Sequence, residues 1–293
     1  MSIRIKQLHP LFIGEVSGID LADTLPDETV AEIQSAIDRF AVLIFHGQRL
    51  DDELQLAFAR RLGPIEPPQT YSGRRRLRPE FADVSNLDAD GRPRAPDDRR
   101  RMNSLGNRLW HTDASFRRVP GALSMLYAHK VPGPSSKGDG DTEFADLRAA
   151  YDALPQPTKE LIEPLVAEHS IFHSRAQIGF TEFTDEERAA MPPVPQRLIR
   201  RHPGSRRKTL YLASHASHII GWPVPDGILL IRDLIEHATQ RKFGYRHKWR
   251  VGDLVIWDNR CTMHRGRHFD ETRVRDLRRV TTQDVASSLD QVA

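Results

Sequence analysis

Apolar positions along the chain change period several times, and each change marks an element. Residues 1–23 carry short β-like runs broken at Gly14 and Gly18. Val30, Ile33, Ile37 and Phe40 then recur at helical spacing behind Pro26, which suits a helix start, so a helix is predicted over 26–40. Residues 41–45 are continuously apolar and β-branched at Val42 and Ile44, the pattern of a buried strand. Asp51 or Asp52 can cap a second helix that places Leu54, Phe58 and Leu62 on one face and stops at Gly63-Pro64. From 67 to 107 no long period survives; Pro, Gly, Arg and Asp dominate, which predicts a long loop with a short strand at 81–85.

The second half alternates more quickly. Strands are predicted at 123–127, from 141, at 209–212, 243–249, 253–258 and 274–282, with helices near 146–154, 158–167 and 228–239 and a short one within 179–195. Short strands at both ends with helices between them predict a mainly β fold with flanking helices, built on a sandwich or jelly-roll core. There is no internal repeat and no linker that separates two cores, so residues 1–293 read as a single domain.

Composition narrows the class. Apolar residues make up 39% and charged residues 28%, ordinary for a globular chain. No apolar run approaches the ~20 residues of a membrane span, and the first residues lack the apolar region of a secretory signal. The single cysteine, Cys261, excludes an internal disulfide framework and a Cys-rich zinc site, so a cytoplasmic location is expected. The net charge is +3, but Arg74-Arg75-Arg76-Leu77-Arg78, Arg99-Arg100-Arg101 and Arg206-Arg207-Lys208 are clumped. Such runs are either solvated loops or a surface for an anion, small carboxylate or nucleic acid.

The candidate chemistry centres on Leu109-Trp110-His111-Thr112-Asp113-Ala114-Ser115-Phe116. Read as a strand, this stretch points His111 and Asp113 to one side and Thr112 to the other. With a second histidine from elsewhere they complete the 2-His-1-carboxylate triad of non-haem Fe(II) oxygenases. The pair alone is weak evidence, since His268-Phe269-Asp270 repeats the spacing and the chain holds 13 His. Context separates them. Trp257-Asp258-Asn259-Arg260 leads to His264, and residues 273–281, if a strand, place Arg275, Leu277, Arg279 and Thr281 on one face. If that face is inward, each guanidinium needs an anion; if outward, both are solvated.

Taken together, Trp110-His111-Thr112-Asp113 through Phe116, Asp141-Thr142, the Trp257-to-His264 run and the Arg275/Arg279 pair resemble the Fe(II)/2-oxoglutarate-dependent dioxygenases of the taurine dioxygenase/2,4-dichlorophenoxyacetate dioxygenase family. Residues 142–155, 190–194, 214–218, 236–241 and 251–267 extend the likeness toward the aryloxyacetate branch. The resemblance implies a double-stranded β-helix, cupin-like core. It implies His111, Asp113 and His264 as iron ligands, and Thr142 and Arg275 as contacts of 2-oxoglutarate. It also implies Arg279, His215 and Asn107 as contacts of a small anionic aromatic substrate. The implied reaction hydroxylates the carbon next to the ether oxygen of an aryloxyalkanoate such as 2,4-dichlorophenoxyacetate, giving a phenol and glyoxylate with succinate and CO2. A homo-oligomer is expected, with no nucleic-acid or membrane partner.

Residues 132–140 form a longer loop than the resemblance suggests, and 67–107, the expected active-site lid, match it poorly. Both leave the substrate open between an aryloxyalkanoate, another aromatic carboxylate, and an alkylsulfonate or alkyl sulfate. The competing classes are a nucleic-acid binder using the Arg runs and a relative with a structural metal. The Arg runs lack interleaved aromatics, and a structural site needs no arginine for a co-substrate.

Overall fold

The computed structural model describes residues 3–67 and 74–291. Its main layer is a seven-stranded sheet. In spatial order the strands are Arg4–Gln7, Gly14–Ser17, Val42–Phe45, Leu254–Asp258, Gly121–Lys130, Asp276–Gln283 and Ala82–Asp83. All neighbours are antiparallel except Gly14–Ser17 and Val42–Phe45. The continuous apolar runs follow from burial on both faces, because successive side chains alternate sides. Leu43, Phe45, Met125, Leu254 and Ile256 pack toward the helices Asp27–Phe40 and Asp52–Leu62. Val42, Ile44, Leu126, Val255, Trp257 and Leu277 point the other way, into a core shared with Phe144 and Trp249.

That second core is closed by a three-stranded antiparallel sheet, Gly244–His247, Thr142–Asp146 and Thr262–Gly266. Beyond it a third cluster gathers Leu147, Tyr151, Leu198, Leu212, Ile231, Leu234 and Met263 under the helices Leu147–Asp152 and Val224–Ala238. The fold is therefore sheet-rich, with helices on both outer faces. Among the described residues no helix is long and apolar enough to cross a membrane.

The predicted helices and main strands form close to their expected bounds. Asp51 caps its helix by accepting a hydrogen bond from the Leu54 backbone at 2.8 Å. Three expectations need correction. The 67–107 segment is not irregular throughout. Asp98 caps a helix, Arg99–Ser104, by accepting from the Arg101 backbone, and a 3-10 turn, Leu105–Arg108, follows. Ion pairs to other parts of the chain order this segment where its own periodicity does not. Residues 68–73 of that predicted loop lie outside the described residues. The helix expected over 158–167 stops as Gln156–Ile162, and Val166–His169 is a strand paired with Val194–Arg197 and Ala216–Ile219. Finally, the His-Thr-Asp stretch is extended only as far as Thr112; Asp113 begins a turn in which Ala114 adopts φ 56°.

Candidate metal centre and its two chambers

His264 sits on the strand Thr262–Gly266, opposite Phe144 of the neighbouring strand. On the free edge of that strand His111 makes a two-way backbone bridge to His264, with N–H to O distances of 2.9 and 2.8 Å. The bridge sets the two imidazoles beside each other, ring centroids 4.2 Å apart. Thr112 turns away, as its place in the extended segment requires, and its hydroxyl donates to Leu212 O at 2.9 Å. The turn that follows brings the Asp113 carboxylate back to the same side as the two rings.

That carboxylate is held from behind. Ser124 Oγ donates to Asp113 Oδ2 at 2.7 Å, and Asn259 Nδ2 donates to Ser124 Oγ at 2.9 Å. Asn259 Oδ1 accepts from the Asp113 backbone at 3.1 Å and from Trp257 Nε1 at 3.0 Å. Arg279 Nη1 donates to Asp113 Oδ1. Burial opposes ionisation of Asp113, but Arg279, with the two histidines and Ser124, outweighs it and holds the carboxyl at about 2. Burial lowers His111 and His264 below the usual histidine range, so both rings are neutral near pH 7.

The donor set fits a divalent metal. His111 Nε2 lies 3.7 Å from Asp113 Oδ1, and His264 Nε2 lies 3.6 Å from Oδ2. Bonds of ~2.1 Å at right angles put neighbouring ligand atoms ~3 Å apart, so each pair closes by ~0.6–0.7 Å to seat an ion. His111 Nδ1 donates to Leu109 O at 2.8 Å, which leaves the Nε2 lone pair facing the carboxylate. Two neutral imidazoles and one carboxylate on one side of an ion suit Fe(II) with open positions opposite them.

Two cavities open beside the triad. The smaller, about 110 Å³, runs past His264 to Thr142, Trp257, Phe269 and Arg275. Arg275 is buried; its Nη1 donates to Val84 O at 2.8 Å and its Nη2 to Gly140 O at 3.3 Å. Among the described residues no carboxylate forms an ion pair with it, and burial lowers its pKa to about 10 despite the nearby Asp141. Gly140, at φ +73°, leaves room for it, since a Cβ there would stand 3.1 Å from Arg275 Nε. Trp249 Nε1 donates to Thr142 Oγ1 at 2.9 Å, which leaves the Thr142 hydroxyl proton for another acceptor. The larger cavity, about 190 Å³, lies beyond His111 and Asp113 and is walled by Phe116, Ile171, Phe183, Met191, His215 and Arg175. Arg279 and Asn107 face both cavities.

With that geometry in view, the model of the family "Taurine catabolism dioxygenase TauD, TfdA family" matches residues 4–281. The chain belongs to that family. It is 48% identical to an alpha-ketoglutarate-dependent 2,4-dichlorophenoxyacetate dioxygenase of Burkholderia sp. (strain RASC), over 96% of this chain and 95% of the relative. It is 47% identical to one of Cupriavidus pinatubonensis (strain JMP 134 / LMG 1197), over 98% and 99%. The crystal structure of AAD-2 in complex with Mn(II) and N-oxalylglycine superposes with a TM-score of 0.90 at 50% identity, covering 99% of this chain and all 100% of that one.

For this TauD, TfdA family member, the structure brings all eight residues singled out in the sequence around the two cavities. The inward reading of 275–281 is the correct one: Leu277 enters the core, Arg279 reaches Asp113 and Thr281 Oγ1 meets Ser124 Oγ at 3.1 Å. The second H-x-D copy is not a site. His268 is exposed with Nδ1 at Lys137 O, and Asp270 accepts from Thr272 Oγ1 at 2.7 Å. The basic runs are largely matched by carboxylates: Arg74 with Asp90, Arg76 with Asp83 and Asp276, Arg78 with Glu53, Arg99 with Glu187, Arg101 with Glu271, Arg207 with Asp152 and Lys208 with Glu163. Such pairing leaves little of the field that a polyanion would seek.

Sequence reasoning missed Ser124, Asn259 and Arg175. Asn259 lay inside the Trp257-to-His264 run and was legible as part of a pattern. Ser124 and Arg175 carry no local signal, because their roles come only from what stands across from them.

Proposed function

We propose that this chain is an Fe(II)/2-oxoglutarate-dependent dioxygenase that hydroxylates the carbon next to the ether oxygen of an aryloxyalkanoate, a 2,4-dichlorophenoxyacetate-like acid. The observation that supports it most is Arg275. A buried guanidinium with no carboxylate partner among the described residues ends the chamber that starts at His264. A dicarboxylate with one end at the metal satisfies it, through a planar fork suited to the far carboxylate. Thr142 then donates its free hydroxyl proton to the same molecule. In this reading His111, Asp113 and His264 hold the iron, and the facing sheets form a double-stranded β-helix, jelly-roll core.

When bound, the iron supplies oxidation by O2, which decarboxylates 2-oxoglutarate to succinate and CO2 and places the second oxygen atom in a substrate C–H bond. The protein's residues orient and shield. Phe116, Ile171, Phe183 and Met191 offer an apolar wall for an aryl ring in the larger chamber, and Arg279, His215 and Asn107 contact the acid. The hydroxylated carbon bears the ether oxygen, so the hemiacetal collapses to a phenol and glyoxylate. Arg101 and Arg108, both ion-paired to Glu271, hold the 99–108 part of the expected lid over the site. A homo-oligomer, a single domain and a cytoplasmic, reducing compartment that keeps Fe(II) reduced complete the proposal.

The test is product formation from phenoxyacetate and from taurine, with Fe(II), 2-oxoglutarate and O2. Phenol release coupled to succinate is expected only with the first, and its absence would sink the aryloxyalkanoate assignment. Asp113→Ala is expected to abolish 2-oxoglutarate turnover; retained turnover would refute the metal assignment itself.

A further inference from the structure

The arginines around the larger chamber differ in how far their donors are used. Arg94 pairs with Asp98 and Arg99 with Glu187. Arg175 gives its Nε to Asn103 Oδ1 at 2.8 Å, its Nη1 to Ser174 Oγ at 3.2 Å and its Nη2 to Asn107 Oδ1 at 3.3 Å. Arg279 gives Nη1 to Asp113 Oδ1, but its Nε is buried and finds no hydrogen-bond acceptor among the described residues. A buried N–H left this way is costly. A matching acceptor stands in the same chamber. Glu66 Oε1 is buried and accepts no hydrogen bond among the described residues; Arg117 Nε lies 2.7 Å away without the alignment of one.

The backbone puts these two unused groups on one face. Ile65 and Thr282 form an antiparallel bridge, and the Glu66 N–H donates to Thr281 O at 2.8 Å. Glu66 is therefore the cross-strand partner of Thr281, and such partners share a face. Thr281 turns that face toward the site, where its Oγ1 meets Ser124 Oγ at 3.1 Å, and Arg279 lies on it two residues earlier. Glu66 and Arg279 are thus diagonal neighbours, ~7–8 Å apart at the backbone and within reach of each other's long side chains. Burial raises the Glu66 carboxyl, and Arg117 and Arg279 draw it back. The oxygen that Arg279 holds is also one the metal centre needs. Asp113 Oδ1 faces His111 Nε2 at 3.7 Å, so a divalent ion between them claims the same atom. An ion and a guanidinium on one buried carboxylate leave an excess of positive charge that a second carboxylate relieves.

We propose that Glu66 is the second counter-ion of Arg279: it takes the Nε side of the guanidinium when a divalent metal claims Asp113, and so turns Nη1 from the metal's carboxylate to the chamber. Glu66 is a positioning residue, acting through Arg279 and touching neither the metal nor the organic acid. The inference rests on His111, Asp113 and His264 as metal ligands and is independent of which acid the chamber takes. It gives the enzyme a reason to carry a buried carboxylate in a chamber otherwise rich in arginine.

Calorimetric titration of Mn(II) into the full chain tests it, for wild type, Glu66→Gln, Arg279→Gln and the double variant, with the metal-free Tm of each recorded alongside. Glu66→Gln is expected to bind Mn(II) ~10-fold more weakly than wild type, and Glu66→Asp to recover part of the loss. Arg279→Gln is expected to bind Mn(II) at least as tightly as wild type, because the competing cation is gone. Adding Glu66→Gln to Arg279→Gln is then expected to change the affinity by less than ~3-fold, since Glu66 acts only through the arginine. Binding by Glu66→Gln within ~3-fold of wild type, or a ~10-fold loss that persists without Arg279, would overturn the role of Glu66. Weaker binding in Arg279→Gln alone would overturn the competition, and the proposal with it, whether or not Glu66→Gln folds. No Mn(II) binding in wild type would sink the metal assignment itself and this inference with it; normal binding in wild type with no change in Glu66→Gln would sink only the inference.

Discussion

Arg275→Met should separate what this arginine does for the ligand-free fold from what it does for the co-substrate. Burial takes the guanidinium from 12.5 to about 10, and at ~1.4 kcal/mol per pK unit that is ~3 kcal/mol against the charged form. The sign is fixed by the direction: the folded state disfavours the cation at every pH below about 10, and the penalty fades only as the group deprotonates above it. Hydrogen bonds to Val84 O and Gly140 O return ~1 kcal/mol each. A methionine of similar length removes both terms and fills the space. The ligand-free variant is therefore expected to be as stable as wild type or more so by ~1 kcal/mol, a rise in Tm of ~2 °C at this size. Most buried-arginine deletions go the other way.

Co-substrate binding should move oppositely. Two charge-assisted hydrogen bonds to a carboxylate are worth ~3–4 kcal/mol together, which predicts a KM for 2-oxoglutarate ~100–1000-fold higher. The assay is thermal unfolding with Mn(II), with and without 2-oxoglutarate, alongside steady-state kinetics. Ligand at a hundred times its Kd stabilises wild type by ~2.7 kcal/mol; the variant should show no such rise. A variant that unfolds far below wild type without ligand, or that keeps the 2-oxoglutarate-dependent shift, refutes the reasoning.

Ser124→Ala removes the hydroxyl that donates to Asp113 at 2.7 Å. Metal affinity is expected to fall ~10-fold or more in a calorimetric titration, as for other groups that orient a ligand. Arg279→Ala frees Asp113 Oδ1 and opens both cavities; succinate formation should partly survive while phenol release is lost, measured as the ratio of the two products. Asp276 is buried, yet Arg76 and Arg278 outweigh that burial and hold it at about 2. Its contribution is present above the ordinary aspartate range and is lost as pH falls through about 2. Asp276→Asn should thus cost stability at neutral pH and flatten the acid limb of a Tm-against-pH curve.

The sequence by itself determined most of the elements and singled out the polar residues that gather around the two cavities. Helical spacing at Val30, Ile33, Ile37 and Phe40 and the unbroken run at 42–45 report burial directly, because an apolar face has one period on a helix and none on a strand covered twice. His111, Asp113, His264, Thr142, Arg275 and Arg279 were legible as ordered motifs. What the sequence left open were questions of facing. It offered two H-x-D pairs, which the surrounding motifs separated; the tertiary structure adds the facing, with His264 across from His111 and His268 exposed. It allowed 275–281 to face either way; the core formed by Leu126, Trp257 and Leu277 turns Arg275 and Arg279 inward. It read 67–107 as irregular, because that helix is ordered by Glu187 and Glu271, more than 80 residues distant in sequence. Ser124, Asn259 and Arg175 act through neighbours from other strands and helices. A local pattern records what a residue does to its own segment, and these residues do their work across the gap between segments.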